Sequence, residues 1–335
     1  MNQNIRFSKH LSNFQHKIEV VAGSKGITSP YLGEISHQLY LNDARTPLFQ
    51  LQALARIELE IGKDKETAKN WLAEFKSLED AFGKYDFWYT LLQKNNQWDS
   101  PNEILTVIEQ QTQRHLGLLE TIIHRYGWIT QNDLDKKPLD RFSKDFKKYK
   151  WVRESKESKK LLKFFRDEAS TLHEKIVSGE IDLNLIEDGI HELRRKLRWL
   201  GIYSSSLLGK VQHSNANEIS HLDHYITEEN KLFKFNILPL PPDNVETIHF
   251  LRGGFYALSL LIDGLGKIKD PGLITEEMVK ITQITGSNMN KLKPKMGLDY
   301  ATHAKVVKDA KALVKPILLK DEILLHIADH FDKQL

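Results

Sequence analysis

The chain contains no cysteine among its 335 residues. This absence excludes a disulfide framework, a thiolate metal site and a catalytic thiol, and it is compatible with a reducing compartment. The sequence also lacks a continuous apolar run long enough to span a membrane, and residues 1–21 carry charges throughout. We therefore expect a cytoplasmic protein with no membrane partner.

Nucleotide-binding loops and catalytic constellations are missing as well. Gly253-Gly254 and the glycines at 264 and 266 have neither the strand context nor the spacing of a phosphate-binding loop. The pairs His326/His330 and His221/His224 have no evident third ligand, so we interpret them as ordinary polar histidines. We expect no metal, no cofactor and no enzymatic activity.

What the sequence does have is helical periodicity. Apolar residues recur at spacings of three and four throughout, which indicates amphipathic helices and an all-α fold. Ser100 to Glu103 resembles a capping box with proline at the first helical position, and Gly127 follows the last periodic residue, so a helix is predicted over 101–126. Further helices are predicted over 6–20, 47–61, 66–82, 139–152, 159–177, 184–211, 245–265, 276–284, 300–313 and 317–331, with a connector over 225–243.

A weak internal repeat of the form L-x-D-x-x-G-K occurs twice, at residues 78–84 and 261–267. A glycine after an apolar helix end supplies a left-handed C-terminal conformation, and the lysine can reach the free carbonyls there. Duplication and coincidence both explain the pattern. With duplication, the fold is a tandem pair of antiparallel helical bundles, a first half over 1–135 and a second over 136–335, in one compact unit.

Four cationic or ionisable side chains share one face of the predicted helix at 184–211. At about 100° per residue, Arg194, Arg195 and Arg198 fall within about 60° of His191. The apolar residues of the helix lie on the opposite side. Arginine suits such a surface because its planar donors match phosphate oxygens in pairs. With only Glu192 as an acidic neighbour, the repulsion among these cations is poorly compensated, which favours a bound polyanion.

Two further groups of cations add to this basic stripe. Residues 136–166 hold 13 Lys and Arg against four acids, and within that segment Lys137, Arg141, Lys144 and Lys148 share a helix face. His249 and Arg252 echo the His191/Arg194 spacing on a later predicted helix. If these helices face one another, a basic cavity results.

These residues resemble the CHAD domain family, helical domains whose signature helix reads roughly H-x-x-R followed by arginines and leucines, here His191 to Arg198. In that family such a helix pairs with a later one that ends in a Gly- and Asp-containing turn, similar to Gly266, Lys267 and Asp270. The resemblance implies a pair of antiparallel helical bundles with a basic surface that binds inorganic polyphosphate or related phosphate chains. It implies no catalytic activity.

The first half departs from the family pattern. Residues 46–61 keep the apolar spacing and lose the cations: aligning Leu51 with Leu193 puts Phe49, Gln52 and Ala53 at the places of His191, Arg194 and Arg195. Only Arg56 remains, opposite Arg198. We therefore expect a divergent member with a degenerate first repeat.

Three functions remain open from the sequence. A polyanion-binding module for polyphosphate should bind more weakly in salt, and more tightly below about pH 6.5 if His191 gains a proton. An RNA or DNA backbone binder would use the same faces. A helical scaffold or protein-interaction unit would carry them merely as solvated surface.

Overall fold

Helices make up nearly all the regular structure in the computed structural model, which describes residues 3–23, 32–98, 100–129, 139–215, 220–243, 245–298 and 301–335. The predicted all-α class is confirmed. Within these ranges no helix combines the length and the apolar character needed to cross a bilayer.

The chain divides into two units, Met1–Val152 and Arg153–Leu335. This division falls after the basic helix around Arg141, whereas we expected it before that helix, at 135/136. The physical reason is the burial of Phe142 and Phe146 among the aromatic rings of the first unit. The cations of this helix therefore belong to the first unit.

The described part of the first unit consists of helices and the turns next to them. Its elements are α1 (Gln3–Gly23), α2 (Leu32–Leu41), α3 (Arg45–Ile61), α4 (Lys65–Asn95), α5 (Asn102–Arg125) and α6 (Asp140–Lys148). The Asp64 side chain accepts a hydrogen bond from the Thr67 backbone N–H and so starts α4. Buried aromatic side chains from three of the helices meet in the core, with Phe7 against Trp71 and Phe146, and Phe75 against Phe142.

The second unit combines helices with one small pair of strands. Its elements are α7 (Glu154–Val177), a π-helical turn (Ile186–His191), α8 (Glu192–Ser206), β1 (Val211–His213), 3₁₀ turns (His221–Tyr225 and Lys234–Asn236), α9 (Glu228–Lys231), β2 (Ile248–Phe250), α10 (Arg252–Thr285), α11 (Met289–Leu292), α12 (His303–Val314), a second π-helical turn (Lys315–Lys320) and α13 (Ile323–Asp332). Strands β1 and β2 are parallel, with Val211 opposite Ile248. Phe165, Phe250 and Phe331 pack together in the core.

Several predicted boundaries are wrong. The helix expected over 245–265 begins only at Arg252, because residues 248–250 pair as a strand, and it continues to Thr285 through the separate helix expected at 276–284. Helix α2 was not predicted. The capping box at Ser100 does not form, since α5 begins after Pro101 without a side-chain cap, whereas Gly127 does adopt a positive φ of 61°.

The π-helical turn before α8 depends on a glycine. A Cβ atom at Gly189 would lie 1.8 Å from the backbone oxygen of Asp182. Such a contact is impossible, so the backbone of 182–183 can approach this turn only because the side chain is absent. The approach fixes where His191 and α8 begin.

We therefore expect Gly189→Ala to destabilise the second unit by about 2 kcal/mol or more, because backbone must move to admit the methyl group. The matched control is Gly201→Ala in α8, where the nearest atom to an added Cβ is Phe255 Cζ at 3.9 Å. That change should be neutral or stabilising by up to about 1 kcal/mol, since alanine is the better helix former. Urea unfolding of the full chain measures both; similar effects would contradict the steric argument.

Candidate anion-binding site

The cationic face of α8 forms as the sequence predicted, but its members differ in exposure. Leu193 and Leu197 are buried on the opposite side and hold the helix against the core. Arg195 is exposed, whereas His191 and Arg198 are half-buried. The face is therefore part surface and part interior.

Arg194 joins α8 to α10. Its Nε donates a hydrogen bond to the backbone oxygen of Ile262 at 2.8 Å. The guanidinium lies against Gly266, where an added Cβ would sit 3.0 Å from Nε and 3.1 Å from Nη2. Burial lowers the pKa of Arg194, and Asp270 and Asp263 oppose that shift. Arg194 is consequently a structural anchor as well as a positive charge.

A buried lysine from α10, which no sequence pattern singles out, adds to this arrangement. Lys269 is 5% exposed and forms an ion pair with Asp270, whose own side chain is largely exposed. Burial lowers the pKa of Lys269, Asp270 counteracts that shift, and Arg194 adds to it. Lys269 was missed because it falls between the helices predicted over 245–265 and 276–284, so no helix face was assigned to it.

His191 lies among these cations. Burial and, in decreasing order, the positive charges of Lys269, Arg195, Arg194 and Arg198 together lower its pKa to about 4. The imidazole is therefore neutral at pH 7. Its Nδ1 is buried and has no hydrogen-bond partner among the described residues. We name the group of His191, Arg194, Arg195, Arg198 and Lys269 the α8–α10 cluster.

The expectation of uncompensated repulsion along α8 is only partly met. Glu192 contacts two cations, Arg195 at 2.6 Å and Lys196 at 3.1 Å. These are partly exposed pairs one turn apart, of the kind that stabilises a helix by a few tenths of a kcal/mol. Arg195 can exchange its partner at small cost, whereas Arg194 cannot.

The cations of α6 lie in the first unit and are not equivalent to one another. Arg141 forms an ion pair with Glu74 at 2.6 Å, donates to the Tyr126 oxygen at 2.7 Å and stacks on Phe142. Lys144 and Lys148 are exposed, with no ion pair in the described part of the chain. Lys137 lies outside the described residues.

His249 and Arg252 do not lie one turn apart on a helix, as we had predicted. His249 is an exposed residue of β2 whose backbone pairs with the Gln334 side chain. Arg252 begins α10, and 14 residues separate it from Gly266, about 21 Å along the helix at 1.5 Å per residue. Neither residue belongs to the α8–α10 cluster.

The two L-x-D-x-x-G-K segments have a common structural role that differs from the predicted helix ends. Gly83 and Gly266 both lie inside long helices. An added Cβ at Gly83 would lie 2.6 Å from Nη2 of Arg45, as one at Gly266 would contact Arg194. Each glycine thus accommodates an arginine from the neighbouring helix.

This likeness gives an alignment of the two halves that differs from the one based on apolar spacing. If Arg45 is aligned with Arg194, then Leu51 is aligned with Leu200 and not with Leu193. Arg45, however, is neutralised by carboxylates: it pairs with Glu79 at 2.8 Å and with Asp86 at 3.0 Å. The first half therefore has the same arginine–glycine contact as the second, but carboxylates surround its arginine. Common descent of the halves stays a prediction.

Comparison of the chain with models of known protein families, with curated proteins and with solved structures finds no match in any of the three. The CHAD resemblance therefore depends on the residues quoted above alone.

The contact between Arg194 and Gly266 predicts energetic coupling. In the wild-type background, Gly266→Ala should lower the free energy of unfolding or leave it unchanged, because the added methyl group displaces the guanidinium of Arg194. In an Arg194→Ala background the same change should stabilise by up to about 1 kcal/mol, since only the helix propensity of alanine remains. The double-mutant cycle, measured by urea unfolding, should give a coupling of about 1 kcal/mol. Additive effects would show that the two residues do not constrain each other.

The lowered pKa of His191 predicts acid sensitivity. The unfolded chain takes up this proton near the ordinary value of 6.5 and the folded protein only near 4, so stability falls as the pH drops between these values. His191→Gln should remove part of that slope in thermal melts recorded from pH 7.5 to 4.5. His303→Gln, at an exposed position, is the control and should leave the slope unchanged. If the stability of His191→Gln depended on pH as steeply as that of the wild type, the lowered pKa of His191 would be contradicted.

Proposed function

We propose that the second unit binds inorganic polyphosphate or a chemically similar phosphate chain through the α8–α10 cluster, without a catalytic step. The observation that carries this proposal is the grouping of four cations around a neutral, half-buried His191. Like charges gathered in a partly desolvated place repel one another, and a bound anion relieves that repulsion.

The density of cations supports the proposal. Six cations lie on this part of α8 and α10: Arg194, Arg195, Lys196, Arg198, Lys267 and Lys269. Glu192, Asp263 and Asp270 form ion pairs with several of them. A phosphate chain supplies negative charge at a short repeat and can therefore contact several of these cations at once.

The members of the cluster have different roles in this proposal. Arg194 and Lys269 are fixed by their contacts with α10 and provide a permanent positive field. Arg195 is exposed and exchanges Glu192 for phosphate oxygens, leaving Glu192 to Lys196. His191 is neutral in the free protein, and its buried Nδ1 becomes a donor once an anion draws a proton to the ring.

This view alters the pH dependence expected from the sequence. With a free pKa near 4, His191 does not become charged merely on acidification to pH 6. A bound anion raises its pKa, so binding is accompanied by proton uptake, and affinity rises as the pH falls through the higher pKa of the complex.

A solvated scaffold surface is the second candidate. The observation that favours it is the pairing of Arg195 and Lys196 with Glu192, which occupies two of the six cations without any ligand. On this view the cluster serves only to join α8 to α10, and removing its exposed charges changes no affinity.

The test compares two variants that each lose two positive charges, Arg195→Gln/Arg198→Gln in the cluster and Lys144→Gln/Lys148→Gln on α6. Titration calorimetry of the full chain with polyphosphate at two salt concentrations should show at least about tenfold weaker binding and a shallower salt dependence for the cluster variant. The α6 variant should stay within about twofold of wild type. Equal losses, or a loss confined to the α6 variant, would overturn the assignment.

Two additions make the outcome specific. Arg195→Gln alone, which leaves the half-buried Arg198 in place, should still weaken binding and guards against misfolding of the double variant. In NMR titrations, tripolyphosphate should raise the pKa of His191; an unchanged pKa would place the ligand elsewhere. Preference for RNA over polyphosphate at matched phosphate concentration and salt would favour the nucleic-acid alternative.

A further inference from the structure

A cleft in the first unit lies between α2, α4 and α5. It has a volume of about 410 Å³ and is lined by Glu34, His37, Tyr85, Tyr89, Leu92, Thr112, Gln113 and Leu116. This volume is within the range of small-molecule sites, about 300–1,000 Å³. We name it the tyrosine cleft. It shares no residue with the α8–α10 cluster.

Aromatic rings form one side of the tyrosine cleft. The Tyr85 and Tyr89 rings stack at 5.7 Å between centroids, and the His37 ring meets Tyr89 at 5.0 Å. Tyr40 supports the group from behind, with its ring 5.6 Å from that of Tyr89. Tyr85 is buried, whereas Tyr89 and His37 are half-exposed. Packing holds the rings in place before any ligand arrives.

Two polar groups of the cleft, the Tyr85 hydroxyl and the His37 imidazole, are uncharged and joined to each other. The hydroxyl lies 2.6 Å from His37 Nδ1, and the tautomer of His37 sets which of the two donates the hydrogen bond. Burial, with a contribution from Tyr89, raises the pKa of Tyr85 to about 12, and burial lowers the pKa of His37. His37 therefore places no positive charge in the cleft at pH 7.

The charge at the cleft is negative. Glu34 is exposed and is the one lining residue with an ionisable acid, while none of the eight described lining residues is Lys or Arg. On α5, Glu109 and Glu120 stand one turn beyond Gln113 and Leu116 on the same helix face. The nearby carboxylate of Asp86 is held by Tyr40 and Arg45 and does not compete.

We propose that the tyrosine cleft binds an organic ammonium ion that carries an apolar or aromatic body. Tyrosine faces attract cations through their quadrupole, and the Glu34 carboxylate supplies the counter-charge. Leu92 and Leu116 provide apolar contact area for the body of the ligand. An anionic ligand of the same shape meets Glu34 and is rejected, which is the reverse of the preference of the α8–α10 cluster.

The test uses 2-phenylethylammonium as probe and phenylacetate as its anionic counterpart, each titrated into the full chain and followed by NMR. The ammonium should shift resonances of Tyr85, Tyr89 and His37 saturably, and phenylacetate should not. Tyr89→Ala and Glu34→Gln should each weaken binding by at least about threefold. Tyr126→Ala and Glu103→Gln, which remove a half-exposed tyrosine and an exposed glutamate elsewhere in the first unit, should leave it unchanged.

Any of three results would overturn the proposal: no saturable shift with the ammonium, equal binding of phenylacetate, or equal losses in the cleft variants and their controls. Thermal melts identify a variant that fails to fold. In that event Glu34→Gln alone decides the matter, because its side chain is exposed and its removal leaves the aromatic packing intact. Polyphosphate affinity should be the same in all four variants.

Discussion

The second unit depends on one contact, the crossing of Arg194 over Gly266. The guanidinium donates to the backbone of α10 and occupies the space that a Cβ would take. The half-buried guanidinium of Arg194 on α8 therefore depends on the missing side chain of Gly266 on α10. Lys269, buried one turn further along α10, lies in the same electrostatic neighbourhood. Burial and the charges of Lys269, Arg195, Arg194 and Arg198 together lower the pKa of His191.

The first unit shows what the same contact looks like when its charge is balanced. Arg45 crosses Gly83 as Arg194 crosses Gly266, but Glu79 and Asp86 accept its hydrogen bonds. A guanidinium with two carboxylates has no need of an external anion. One of these acids, Asp86, also accepts a hydrogen bond from Tyr40. Our two proposals accordingly assign ligands of opposite charge to the two units.

Much of the fold could be predicted from the sequence, because helical periodicity is a local property. The core helices α1, α3, α5 and α7 were predicted near their observed positions, as were the leucines opposite the α8 cations. The strand at 248–250 could not be predicted, since its pairing partner at 211–213 is distant in the chain and each strand has only three residues. Glycines inside α4 and α10 were interpreted as ends because the arginines that fill their space come from other helices. Lys269 was missed because it lies between two predicted helices, whereas the spacing of Arg194, Arg195 and Arg198 predicted their common helix correctly.

The π-helical turn at Ile186–His191 limits which insertions and deletions the sequence can accept. Such a turn holds one residue more than the α-helix it replaces. Loss of a single residue there would restore regular helix and rotate the preceding segment by about 100° relative to α8. The carbonyl of Asp182 would then no longer meet Gly189. The number of residues in this turn is therefore constrained as strictly as the glycine at position 189. An insertion or deletion of the kind that surface loops tolerate would here break the contact between α8 and the segment that precedes it.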